Sequence, residues 1–123
     1  MAVVHLNSET FDQTVKQSAI VILDFWAAWC GPCRTYGPIF EAVSDKHADI
    51  VFGKIDTDAE QEIAGMFGIQ SIPSTVFFRD GVPLHLQPGL LRPNDLEALI
   101  TQVRELNMED VRADIARRQA AES

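Results

Sequence analysis

Cys30 and Cys33 stand three residues apart in "FWAAWCGPCR" and are the only cysteines in the chain. Two thiols at this spacing can be a redox couple, half of a metal site, or an inert buried pair. The thiolate is the reactive form, so the surroundings that favour a negative sulfur decide between these. A second chemically capable group lies upstream. Asp24 interrupts the apolar run "AIVILDFWA". A carboxylate flanked by apolar residues is expected to be buried, and an unpaired buried charge is expensive. Its pKa should therefore rise, letting it hold or pass a proton near neutral pH. The plainer alternative is an aspartate facing solvent at an irregular strand position.

The elements around the cysteines supply a means of activation. "AIVILDFWA" is continuous, apolar and rich in β-branched residues, as in a strand buried on both faces. The strand is expected to end near Ala27, and a helix to begin at Cys33 or slightly before. Cys30 then lies at a helix N-terminus, where unpaired N–H groups and the helix dipole stabilise negative charge. Cys33 lies one turn in, close enough to attack a mixed disulfide formed at Cys30. Pro32 suits a first helical turn, and Gly31 keeps the approach open. A metal site needs about four ligands, and one CxxC supplies two. His5, His47 and His85 lie on separate segments without ligand spacing, and each reads as a surface or strand residue. No metal is expected within one chain; a site bridging two chains is left open.

The remaining chain reads as alternating elements. "MAVVHL" is a short edge strand, and Asn7 or Ser8 offers an N-cap for a helix through about Ser18. "CRTYGPIFEAVSDKHAD" has helical spacing, with a kink expected at Pro38. "IVFGKID" is a strand. "DAEQEIAGMFG" is a helix with Ile63, Met66 and Phe67 inward and Gly68 as its C-terminal cap. "STVFF" and "VPLHLQ" flank Asp80-Gly81 as a hairpin. "RPNDLEALITQVREL" is an amphipathic helix with Leu96, Leu99, Ile100 and Val103 on its apolar face. The order β α β α β α β β α implies one α/β domain, a mixed sheet with helices on both faces. The tail "NMEDVRADIARRQAAES" begins with a capping pair, Asn107 and Asp110, and carries the stripe Met108, Val111, Ile115. It reads as a terminal helix docked on its own domain or a frayed end, with a contact for a partner or second copy as the sharper alternative.

Bulk properties narrow the classes. The chain has 123 residues, is 46% hydrophobic and carries a formal net charge of −8, so one core can form and phosphate backbones and anionic membranes repel it. No nucleic-acid or membrane partner is expected. Arg117-Arg118 is the only adjacent basic pair, and acids flank it. No run approaches the ~20 apolar residues of a membrane span. The start has no basic n-region or apolar h-region, so the expected location is cytoplasmic, where a cysteine pair is more often catalytic or metal-binding than structural.

These residues together resemble the thioredoxin family. "DFWAAWCGPC" is similar to its active-site segment, and "SIPS" before a strand, "FFRDG" and Gly89 follow in the family's order. The resemblance covers Val4 to Leu106. It implies a thioredoxin fold, a central mixed five-stranded sheet flanked by helices, over residues 1–106, with 107–123 as an extra C-terminal helical extension. It implies a protein-disulfide reductase in which Cys30 attacks, Cys33 resolves and Asp24 assists deprotonation of Cys33. Trp29 matches the aromatic beside the disulfide, Ile72-Pro73 a cis-proline step, Gly89 the glycine of the third groove loop and Pro38 the helix kink. Trp29, Gly31, Pro32, Ile72, Pro73, Gly89 and Leu90 are thereby expected to bind substrate.

The same resemblance implies no cofactor on this chain beyond the Cys30–Cys33 couple. It implies disulfide-containing protein substrates, re-reduction by an NADPH-dependent flavin thioredoxin reductase, and a monomer. Where many members carry a lysine near the buried acid this chain has Phe52, with Lys54 two residues on and on the same strand face. Pro88 precedes Gly89, and Leu90 stands where a small residue is common, so a stiffer and more apolar groove is expected. A thioredoxin scaffold serving as a chaperone-like or complex subunit, binding through groove or tail, is the rival reading.

Overall fold

The computed structural model describes residues 3–122; Met1 and Ala2, assigned above to the first strand, and Ser123 of the tail lie outside the described residues. The elements are β1 (Val3–His5), α1 (Phe11–Gln17), β2 (Ile20–Trp26), α2 (Gly31–Ser44), β3 (Val51–Asp56), α3 (Gln61–Met66), β4 (Ser74–Arg79), β5 (Val82–Pro88), α4 (Pro93–Glu105) and α5 (Met108–Glu122). The strands form a five-stranded sheet in the order β1-β3-β2-β4-β5. β3 runs parallel to both β1 and β2, while β4 is antiparallel to β2 and to β5.

β2 is the central strand, which accounts for its unbroken apolar run: both faces are covered. Its side chains alternate between two cores. Ile20 and Ile22 join Phe40 and Val43 of α2, Phe52, Phe77, and Leu96, Ile100 and Val103 of α4. Val21, Leu23 and Phe25 join Phe11 and Val15 of α1, Ile63 of α3, Ile55 and Val76. Each fully buried side chain of this size stabilises by about 1.5–3 kcal/mol relative to exposure. Asp24 belongs by alternation to the first face, the one covered by α2.

Two helix expectations shift. The first helix starts at Phe11 rather than beside Asn7, because Asn7 Oδ1 accepts from the backbone N–H of Glu9 and Thr10 and closes a turn instead. α2 begins at Gly31, slightly before Cys33 as expected, and continues through Pro38. Met66 is 66% exposed rather than inward. α3 spans only Gln61–Met66, too short for periodicity to fix a face. Its end is set by backbone: Gly68 at φ +61°, Gly68 N–H on Gly65 O and Ile69 N–H on Ala64 O make a Schellman closure. The β4–β5 turn carries Asp80 at φ +52° and Gly81 at φ +79°, a type I′ arrangement suited to a two-residue hairpin.

The far end of α4 is held from the sheet. Arg79 Nη1 lies 2.9, 3.2 and 2.6 Å from the carbonyl oxygens of Val103, Arg104 and Leu106. Carbonyls in a last turn lack intrahelical partners, and a cation there also suits the dipole. α5 follows at once. Asn107 Oδ1 accepts from the N–H of Glu109 and Asp110, Met108 is buried, and Arg112 Nη2 reaches Asp80 Oδ2 of the hairpin turn at 3.4 Å. The first turn of α5 is thus tied to the end of the sheet, while residues 116–122 are exposed.

Candidate active site

Cys30 and Cys33 are joined as a disulfide, with Cα atoms 5.3 Å apart. Cys30 is the N-cap of α2, and its Sγ accepts the N–H of Cys33 at 3.2 Å. The sulfur thus occupies the place a serine or aspartate oxygen takes at an N-cap. The same donor favours a thiolate over a thiol once the bond is reduced. Gly31 and Pro32 fill the first turn and are exposed, while Cys30 and Cys33 are buried. A Cβ at Gly31 would meet nothing within 4 Å, so the chain's own packing leaves the space above it free.

Asp24 is fully buried on β2, opposite Lys54 of β3 and Thr75 of β4. Lys54 Nζ lies 3.2 Å from Asp24 Oδ2 and 5.4 Å over the Trp26 ring, between a carboxylate and an aromatic face. Neither carboxylate oxygen otherwise meets a hydrogen-bond donor among the described residues. Burial pushes the Asp24 carboxyl up from 3.8 to about 6, with the charge and hydrogen bonding of Lys54 pulling the other way. Phe52 is not the residue that matters here. It is fully buried in the apolar layer, edge-on to Phe40 at 5.2 Å, and Lys54 is the lysine beside the acid. Cys33 and Lys54 line one crevice of about 170 Å³ together with Trp26, Ala27, Ala28, Arg34 and Gly37.

On the substrate side, the Ile72–Pro73 peptide is cis, and the Ile72 carbonyl oxygen lies 3.6 Å from Cys30 Sγ. Pro73 is buried; its carbonyl accepts the N–H of Gly89 at 2.8 Å, which ties the third loop to the proline loop. Trp29 is 68% exposed, yet its Nε1–H donates to Asp58 Oδ2 at 3.0 Å. Leu90, assigned to the same groove, is 41% exposed. It lines a hollow with Gln87, Leu91, Asp95 and Leu99. The sequence reading missed a pocket of about 190 Å³ beside Trp29 and Ile72, walled by Thr57, Ala64, Ile69 and Ser71. It also missed Asp58 as the anchor of Trp29. These contacts join segments far apart in sequence, and no local spacing announces them.

The three histidines do not converge. His47 bonds Glu97, His85 bonds Gln87 and His5 lies edge-on to Trp26. Among the described residues no group of three or more His, Cys, Asp or Glu side chains could hold a metal ion, and no helix is long and apolar enough to cross a membrane.

Comparison with known proteins agrees with this geometry. The Thioredoxin family model matches residues 2–102. A protein of Streptomyces coelicolor named putative thioredoxin 2 is 46% identical over 117 residues, covering 95% of this chain and 87% of its own length. A thioredoxin of Alicyclobacillus acidocaldarius is 37% identical, covering 83% of this chain and 98% of its own. Among solved structures, the thioredoxin of Malassezia sympodialis superposes with a TM-score of 0.75 at 37% identity, covering 83% of this chain and 93% of that one. A mutant thioredoxin of Halobacterium salinarum gives 0.78 at 31% identity, covering 85% and 92%. With the cysteine pair at the N-cap of a helix, at the end of a buried central strand and opposite a cis-proline, this chain belongs to the thioredoxin family, the thiol–disulfide oxidoreductases.

Proposed function

We propose that the chain reduces disulfides in protein substrates through Cys30 and Cys33, with Asp24 as the proton acceptor for Cys33. The Cys30 thiolate attacks one sulfur of the substrate disulfide; that bond breaks, and the other substrate sulfur leaves as a thiolate. Asp24 takes the proton of Cys33, and the Cys33 thiolate attacks Cys30 Sγ. The mixed disulfide breaks, the second substrate thiolate leaves, and the Cys30–Cys33 bond forms. Two electrons pass from the chain's dithiol to the substrate.

The observation that carries this reading is the Cys33 N–H held 3.2 Å from Cys30 Sγ at the start of α2. It supplies a fixed donor to the attacking sulfur. Ile72, Pro73 and Gly89 offer backbone beside that sulfur for an extended substrate segment, and Trp29 and Pro32 offer apolar surface. The redox group is the cysteine couple itself, with no further cofactor. A flavin- and NADPH-dependent reductase returns the dithiol. The protein works as a cytoplasmic monomer without nucleic acid or membrane. Residues 1–106 form the redox domain and 107–123 an added helix. The family match to residues 2–102 supports that division, while the 117-residue match to the Streptomyces protein must extend into the tail.

The test is insulin disulfide reduction driven by dithiothreitol. Activity is expected in the native chain and its loss in Cys30→Ser; activity preserved in Cys30→Ser sinks the mechanism. A Cys33→Ser chain should accumulate mixed disulfides with its targets and so identify them.

A further inference from the structure

Tyr36 and Thr75 are a buried polar pair that the chemistry above leaves unused. Both residues are fully buried. Tyr36 comes from α2, Thr75 from β4, and their hydroxyl oxygens lie 2.8 Å apart. Thr75 is also the direct cross-strand neighbour of Asp24. Cross-strand neighbours share a sheet face, with Cβ atoms about 4.5–5.5 Å apart. Asp24 thus has Lys54 of β3 and Thr75 of β4 as its cross-strand neighbours, and Tyr36 of α2 is bonded to Thr75. Of these only Lys54 touches the carboxylate.

That is an unusual economy. A threonine hydroxyl beside a buried carboxylate is a donor next to an anion, and the pairing is favourable. Here the hydroxyl is turned to the tyrosine instead. Threonine χ1 has a small number of staggered wells, and the bond to Tyr36 selects one in which Oγ1 does not reach Asp24. We propose that Tyr36 is a positioning residue: by holding the Thr75 hydroxyl it keeps Asp24 short of a hydrogen bond, and so keeps that carboxylate basic enough to take a proton. Burial holds the Tyr36 hydroxyl in its protonated form, with the nearby Asp24 charge acting the same way. Without the phenol oxygen, the Thr75 hydroxyl is left buried and unpaired, and Asp24 is the acceptor across the strand. A hydrogen bond to the charged form favours ionisation.

The experiment follows the Asp24 side-chain carboxyl carbon by ¹³C NMR in the oxidised protein, where neither cysteine titrates. Lys54, and His5 beyond it on β1, are unchanged in every variant, so their influence is common to all. In Tyr36→Phe the midpoint should fall by about one unit, the scale of one added hydrogen bond to a carboxylate. In the double variant Tyr36→Phe/Thr75→Val it should return to the native value or above. Thr75→Val alone should not lower it. An unchanged midpoint in Tyr36→Phe, or a fall that survives in the double variant, overturns the proposal.

The kinetic consequence rests on the role proposed above for Asp24. Release of the mixed disulfide should shift its pH profile downward together with the titration in Tyr36→Phe. A titration that moves while the profile stays fixed upholds the placement of Thr75 and rejects Asp24 as the acceptor. The two failures are thus distinguishable.

Discussion

At the residue scale, Asp24 links stability to pH. Its folded pKa of about 6 lies above the ordinary 3.8 because burial disfavours the charge. Below pH 3.8 the group is protonated in both states and costs nothing. As pH rises from 3.8 to 6 the unfolded chain ionises first, so the folded state loses stability, fully by the upper limit. A shift of this size corresponds to about 3 kcal/mol. Asp24→Asn should therefore be more stable than the native chain at pH 8 by up to about that amount. The gap should close below pH 4 in urea titrations run across pH. A gap independent of pH would show that something other than ionisation separates the two proteins. The same variant should slow release of the mixed disulfide by roughly tenfold or more while its formation is little changed. Stopped-flow measurement of the two steps decides this, and equal slowing of both would remove Asp24 from its assigned role.

At the scale of elements, the contacts that fix helix ends were the least legible. The central strand could be read because burial on both faces leaves a run with no polar alternation, and the Asp80-Gly81 turn because both positions need positive φ. Asn7 is a good capping residue, and the sequence alone does not say whether it closes a turn or starts a helix. Met66 fits a helical stripe, yet α3 stops before the stripe has meaning. Arg79 reads as an ordinary polar end to a strand. Its three carbonyl contacts exist only because α4 packs back across the sheet. Arg79→Met keeps the length and removes the donors. It should cost about 1.5–3 kcal/mol in denaturant unfolding, the range for hydrogen bonds to a charged group, with insulin reduction unaffected in folded protein. A cost below about 0.5 kcal/mol would mean that solvent satisfies those carbonyls equally well.

The whole molecule divides its work between two ends of the sheet. Both cysteines follow the last residue of β2, and Pro73 precedes the first residue of β4, so chemistry sits at one end. The Asp80 N–H meets the Ala19 carbonyl at the other end, where α4 finishes and α5 begins. The cysteine pair and the buried acid were legible because each is a rare residue in a revealing context, whereas Pro73 was legible only through the family resemblance. Tyr36 and Thr75 were not. A tyrosine in an amphipathic helix and a threonine in a strand are ordinary in isolation, and their meaning comes from facing each other beneath Asp24. Truncation after Leu106 should leave insulin reduction intact and lower Tm by a few degrees, about 1 kcal/mol, for loss of the Met108 and Arg112 contacts. Loss of activity in a folded truncated chain would show that the tail serves the site.

The docking of α5 on the hairpin turn has a practical consequence. β2 has seven residues and spans roughly 20 Å, so the start of the tail is separated from the disulfide by the length of the sheet. A dye or bead linker attached in the first turn of α5, beside Met108 and Arg112, is thus held at the far end of the sheet from Trp29 and the proline loop. Immobilised at that point, the chain would present its cysteines outward, which suits it to capturing targets from solution on a solid support.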